Sequence, residues 1–232
     1  MTHDKTLEGL KACVLAAEGA EDLEYYVTLM RLQEEGVAVD TVALSMDSFA
    51  GKNGLKITPD LTIDEAAGIA YDVVVLPGGW APDKLRRSEP VLELIRNRYE
   101  AGAVVAAICH GPWLLISAGL VQGRRATGSL GIKDDLENAG AVWVDESAFV
   151  DGQLVVNPGH EGQNLGVGKP LFLRELVQGV GQHEGGCCNA PQEPNGEADA
   201  GTSNNGRYEH PPWKAHEHQR RARCWSAAWS PH

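Results

Sequence analysis

The sequence predicts an α/β domain: a mostly parallel β-sheet with helices covering both faces. Three observations carry this. Short, wholly apolar runs alternate with segments of helical period as far as Gly179. Glycines close the helical segments, at Gly36, Gly102, Gly119 and Gly140. The residues with chemistry in them fall just after strands, where open α/β sheets bind ligands.

Val14 to Ala17 reads as a buried strand. From Asp22 to Glu35, Leu23, Tyr26, Val27, Met30 and Leu32 recur at helical spacing, and Gly36 ends the helix. Val37 to Leu44 is the next strand. Asn53-Gly54 is a tight turn between short extended runs. Val73 to Leu76 is a third buried strand, and Asp83 to Ala101 reads as one helix. Val104 to Ile108 is a strand of small and β-branched residues. Pro112 to Ala118 and Ile132 to Ala139 are helical. Asp151-Gly152 turns a hairpin between Ala148-Phe149-Val150 and Leu154-Val155-Val156, and Leu171 to Val177 is the last helix. Strands apolar along their whole length are buried on both faces, as in parallel sheets.

The 232 residues divide into a domain over 7–179 and an extension over 180–232. The extension is rich in Gly, Asn, Pro and His without periodicity, so disorder is expected there. Its Cys187, Cys188, His216, His218 and Cys224 invite a zinc reading. They lack CxxC or HxxxH spacing, so no metal and no cofactor are expected. The net charge of −12 argues against a nucleic-acid partner. No apolar run reaches the ~20 residues that cross a bilayer, and Met1 to Leu10 lacks the apolar core of a signal peptide. A cytoplasmic protein without a membrane partner is the expectation. Five cysteines, an odd number, suggest a reducing compartment rather than a disulfide framework. Cys13, inside Ala12-Cys13-Val14-Leu15, is expected to be an inert core thiol.

Ala106-Ala107-Ile108-Cys109-His110-Gly111-Pro112 carries the chemistry. A buried strand runs into cysteine, then His-Gly-Pro and a helix, which is the layout of a nucleophile elbow. The small Ala107 and Gly111 let the turn close. The following helix is expected to aim its first amides at the sulfur and favour thiolate. The plain alternative is a buried cysteine at a strand end, and for His110 a surface imidazole. His110 need not touch Cys109 through Nε2, since adjacent turn residues diverge. Its amide follows the nucleophile and suits an oxyanion hole. Leu76-Pro77-Gly78-Gly79 shares the sheet edge, and the Gly79 amide would complete that hole. Glu21, Asp22 and Glu24 follow the first strand. Glu21 and Asp22 read as helix N-terminal charges, and Glu24 is singled out next.

These pieces, with Gly19-Ala20-Glu21-Asp22-Leu23-Glu24, Val75 to Asp83 and Gly131-Ile132-Lys133-Asp134-Asp135, resemble the DJ-1/PfpI superfamily, in its PfpI-like protease and deglycase branch. The resemblance covers Leu10 to Val177. It implies a flavodoxin-like three-layer sandwich, of the kind class I glutamine amidotransferases share, forming homodimers or higher homo-oligomers. It implies Cys109 as nucleophile and Glu24 as the glutamate that hydrogen-bonds its sulfur. It further implies an acidic residue from a neighbouring subunit against His110, here Asp83, one methylene shorter than the glutamate often found. Gly78, Trp80, Gly111, Leu130 and His160 are the remaining pocket candidates. Leu130 stands where relatives often carry an aromatic residue. His160 is either an extra imidazole near the pocket or an ordinary loop histidine.

The leading functional reading is a cysteine hydrolase or lyase acting on carbonyl adducts. Its substrate is a small carbonyl compound or a glycated protein, handled as in a protein deglycase, a glyoxalase III-type enzyme or a peptidase of stress protection. Thiolate attack on an electrophilic carbon begins all of these. A non-catalytic redox sensor or chaperone-like stress protein is the second reading, since an exposed low-pKa cysteine serves either role. A glutamine amidotransferase is the third. That chemistry uses a late His-x-Glu pair, whereas His160 and Glu161 are adjacent.

Overall fold

The structure, a computed structural model, describes residues 7–159. The chain runs β1 (Lys11–Leu15), α1 (Asp22–Glu34), β2 (Ala38–Ala43), then a small hairpin of β3 (Phe49–Ala50) and β4 (Lys56–Ile57). It continues through β5 (Leu61–Thr62), α2 (Ile63–Ala66), β6 (Val73–Leu76), α3 (Ala81–Leu85), α4 (Glu89–Glu100), β7 (Val104–Ile108) and α5 (Pro112–Ser117). β8 (Arg125–Ala126), a 3₁₀ turn over Leu130–Ile132, α6 (Lys133–Asn138), β9 (Val142–Trp143), β10 (Phe149–Asp151) and β11 (Leu154–Asn157) complete it.

Seven strands form the main sheet in the order β10-β11-β7-β6-β1-β2-β5. Every pairing in it is parallel except the β10–β11 hairpin. From β1 the chain steps by α1 towards β2, and from β6 by α3 and α4 the opposite way to β7. Right-handed crossovers therefore put these helices on opposite faces and make β1/β6 the switch point, where α/β sheets bind ligands. β1, β6 and β7 are buried almost throughout, which is why they read as unbroken apolar runs. The expected flavodoxin-like α/β fold is the one observed.

Some boundaries move. The first strand begins at Lys11, three residues before the expected Val14, because Lys11 pairs with Ala38 in the ladder and its ammonium reaches Asp40 on β2 at 2.9 Å. The single helix expected over 83–101 is two. Pro90 has no N–H to give the carbonyl of residue 86 and its ring would crowd it, so Ser88 turns extended and a new helix starts with Pro90 in its first turn. The helix expected over 132–139 opens with the 3₁₀ turn. β5, β8 and β9 have two residues each, too few to show a period. Leu171 to Val177, the boundary near Gly179 and the whole extension lie outside the described residues.

Candidate active site

β7 delivers Cys109 to the sheet edge. Cys109 N–H donates to the Asn157 carbonyl at 2.8 Å, carrying the β7–β11 ladder one residue past the strand. Cys109 then turns with φ 57°, the one non-glycine residue in the left-handed region among the described residues. Such a conformation costs roughly 1–3 kcal/mol and persists only where its surroundings over-determine it. Gly111 permits the turn: a Cβ there would lie 2.1 Å from the Leu76 carbonyl oxygen. Gly111, a pocket candidate from the sequence, is packed against the backbone of Leu76 and Ile108.

Cys109 is 2% exposed, and its Sγ lies 3.1 Å from His110 Nδ1. The imidazole thus meets the sulfur through Nδ1. The amides of the following helix do not play the expected part. Trp113 N–H donates to the His110 carbonyl and Leu114 N–H to that of Gly111, so the first turn of α5 satisfies itself. The ring of His110 packs edge-on to Trp113, 5.1 Å between centroids, and Trp113 Nε1 donates to Asp135 Oδ2 at 2.8 Å. That places part of the Gly-Ile-Lys-Asp-Asp run behind the histidine.

Glu24 reaches the same point from α1. It is completely buried, and its Oε2 accepts from the Gly78 amide at 2.7 Å. Two glycines seal the space between it and the thiol. A Cβ on Gly159 (φ 80°) would sit 3.0 Å from Glu24 Oε1 and 3.1 Å from Cys109 Sγ. A Cβ on Gly78 would sit 2.7 Å from Glu24 Oε2 and 2.9 Å from the His110 amide nitrogen. Gly159 was not among the sequence candidates, because its contact lies fifty residues away along the chain. Its signal was the glycine two residues beyond a strand that neighbours β7.

Glu21 and Asp22 do more than charge a helix end. Both are buried. Glu21 caps α1 by accepting from the Glu24 amide, which fixes the first turn that carries Glu24. Asp22 accepts from the amides of Asn53 and Leu55 at 2.6 and 2.8 Å, tying the β3–β4 hairpin to that turn. The tight turn at Asn53-Gly54 is thus part of the architecture around the site.

Gly79 forms an isolated bridge with Ala20 at φ 73°, pinning the Gly78–Trp80 segment to the loop after β1. Trp80 is 63% and Leu130 77% exposed, so neither is buried against the thiol within the chain. Gly131, next to Leu130, lies on the Nε2 side of His110. Asp83 sits on α3, where its carboxylate pairs with Arg87 at 2.6 Å. His160 lies outside the described residues. Among the described residues no group of three or more His, Cys, Asp or Glu side chains is arranged to hold a metal ion. No helix among them is long and apolar enough to cross a membrane.

The sequence profile of the DJ-1/PfpI family matches residues 10–161, a span that holds Glu24, the Gly-Gly turn and the cysteine elbow. The chain belongs to the DJ-1/PfpI family. It is 42% identical over 169 residues to Deglycase TK1284 of Thermococcus kodakarensis, covering 73% of this chain and 98% of that protein. Deglycase PfpI of Pyrococcus furiosus matches at the same identity, over 73% of this chain and 98% of its own. Among solved structures, a two-domain protein of Anabaena variabilis, with DJ-1/ThiJ/PfpI-like and ferritin-like domains, superposes with a TM-score of 0.69 at 34% identity. That match covers 74% of this chain and 48% of that one, so the chain spans about half the two-domain protein. The family's fold and the elbow geometry therefore coincide on the same residues.

Burial, with the charge of Asp40, pushes the Cys13 thiol far up, so it stays protonated at neutral pH. Cys109 has an imidazole at its sulfur instead. In a variant with Cys187, Cys188 and Cys224 replaced by serine, iodoacetamide is expected to label Cys109 first. The rate should rise through an apparent pKa below the ~8.5 of a free cysteine. Peptide mapping by mass spectrometry over a pH series reads this. Equal labelling of the two cysteines, or a midpoint at or above ~8.5, would mark Cys109 as structural.

Proposed function

We propose that this chain is a cysteine-dependent deglycase, removing a dicarbonyl adduct from an amine with Cys109 as nucleophile. The observation that carries the reading is the buried Cys109 Sγ in a left-handed elbow, 3.1 Å from His110 Nδ1 and walled by Glu24. The deglycase names of its relatives support it.

The chemistry follows from those groups. The thiolate adds to the aldehyde-derived carbon of the adduct, forming an S–C bond as the C–N bond to the carrier amine breaks. The amine leaves with a proton. Glu24 then moves a proton from this carbon to the neighbouring one through an enediol, which turns the hemithioacetal into a thioester. The amides of Gly79 and His110 bind the oxyanions on the way. Water hydrolyses the thioester to a 2-hydroxy acid. Oxidation of one carbon is matched by reduction of its neighbour, so the adduct and one water balance the reaction. No outside oxidant or cofactor enters. Asp83 from a second subunit would orient His110 in a homo-oligomer.

The test uses the purified full chain and methylglyoxal-modified N-acetylarginine. Free N-acetylarginine and 2-hydroxy acid should appear in equal amounts over many turnovers. No turnover, with stoichiometric peroxide oxidation of Cys109, would replace this reading with the redox sensor. Glu24→Ala is expected to lower kcat/KM by about a hundredfold or more. Glu24→Gln should lose nearly as much, because the amide still accepts from Gly78 but cannot carry the proton between the two carbons. Activity of Glu24→Gln within about tenfold of the parent would show that Glu24 acts by hydrogen bonding and not by proton transfer.

A further inference from the structure

The contact between Cys109 and His110 depends on which edge of the imidazole faces the sulfur. Nδ1 lies 3.1 Å from Sγ. The outer torsion of a histidine side chain is broad and roughly two-fold. A half-turn about it would present a ring carbon to the sulfur, and the contact would be lost whichever group holds the proton. His110 is only partly buried, so something besides burial has to choose the edge.

Two pieces of the chain frame the ring. The first is α5. Its Trp113, three residues on from His110, meets the imidazole edge-on at 5.1 Å, with 68° between the planes. Edge-on pairs keep a preferred geometry because aromatic faces are electron-rich and their edges electron-poor. The second piece runs from Ser129 to Asp135. The Ser129 amide donates to the Cys109 carbonyl at 2.8 Å, which fixes this segment to the elbow. A Cβ on Gly131 would lie 3.9 Å from His110 Nε2, so the segment passes on that side of the ring. It then enters α6, where Asp135 accepts from the Trp113 indole at 2.8 Å. The indole is held further by Arg86, whose guanidinium lies 5.5 Å from the ring centroid while its Nε donates to Ser117 on α5 at 2.9 Å.

Resting on Cys109 and His110 as the reacting pair, we propose that Trp113, anchored by Asp135, is a positioning residue that keeps His110 Nδ1 turned to the Cys109 sulfur. Trp113 acts through the imidazole, and the device is built within one chain. Charged groups surround the pair from three elements. Glu24 on α1 lies beside the sulfur, and Arg86 at the end of α3 and Asp135 on α6 flank the indole. Asp83 on α3 is paired with Arg87. Arg86 and Asp135 bring opposite charges to one indole, so what Asp135 contributes is the anchor.

The test follows iodoacetamide alkylation of Cys109 over a pH series, in the full chain with Cys187, Cys188 and Cys224 replaced by serine. Trp113→Ala is expected to lower the rate at neutral pH about tenfold and to move the midpoint upward, since a ring free to turn supports the thiolate less. Asp135→Ala should lower the rate about threefold. Asp135→Asn should stay within about twofold of the parent, because its amide oxygen still accepts from the indole. Midpoints unmoved in both alanine variants overturn the inference, and so does a lower Tm with an unmoved midpoint. An Asp135→Asn protein as slow as Asp135→Ala overturns it too, since the carboxylate would then act by charge alone. Asp135 is exposed, so its variants decide the matter if Trp113→Ala fails to fold. Alkylation needs no substrate, which separates this inference from the deglycase reading. Moved midpoints without turnover of modified N-acetylarginine support the positioning role and remove the deglycase. Turnover with unmoved midpoints does the reverse.

Discussion

Cys109→Ser is expected to lower kcat/KM on modified N-acetylarginine by at least about a thousandfold while leaving the fold in place. The serine hydroxyl is nearly isosteric with the thiol and meets the same walls. It does not ionise near neutral pH, so it can attack only as a base takes its proton. His110 Nδ1 stands 3.1 Å from the sulfur, within hydrogen-bond reach. Thermal melting checks the fold and steady-state kinetics the activity. Activity retained within about tenfold would mean that the cysteine is not the attacking group.

Gly78→Ala is the next largest effect expected. Gly78 does not adopt a positive φ, so alanine brings no backbone strain and the whole effect comes from contact. Its methyl would fall 2.7 Å from Glu24 Oε2, 2.8 Å from Cys109 Cβ and 2.9 Å from the His110 amide. The neighbours cannot all give way, because two of them belong to the elbow. The loss of a correctly placed oxyanion donor alone costs about a hundredfold or more in kcat. Overpacking adds roughly 1–3 kcal/mol of lost stability, visible as a lower Tm. Gly68→Ala serves as the control, since a Cβ there meets nothing within 4 Å. A Gly78→Ala enzyme as active and as stable as the Gly68→Ala one would show that the pocket is looser than this packing implies.

How much of this could be read from the chain depended on how local each signal was. β7 and its elbow were fully legible, since five buried residues followed by Cys-His-Gly-Pro need no distant partner to be recognised. The α1 helix was legible for the same reason, by period and closing glycine. The break at Ser88 was missed because the apolar spacing continues across it, although Pro90 marked it. From the sequence Glu21 and Asp22 are simply helix-end charges. Their second role depends on a hairpin some thirty residues on, which fixes their burial only once the chain has folded. Gly159 escaped for the same reason, its partners being Glu24 and Cys109. The hydrogen bonding of the first α5 amides is not legible, because geometry within one turn cannot be resolved from residue types.

The walls around the thiol come from residues 24, 78, 109 and 159, each at the end of a different strand or on the helix after one. No two are neighbours in the chain, so the reactive space is a property of high contact order. A fragment ending after the elbow would hold the cysteine and its histidine but lack the β11 end that closes over them. Parallel pairings of this kind carry a loop-closure cost before they are rewarded, and they form late. The thiol therefore stays an ordinary, unshaped cysteine until β11 docks beside β7. If Cys109 is the nucleophile proposed above, a nascent or partly unfolded chain would not yet present it in activated form.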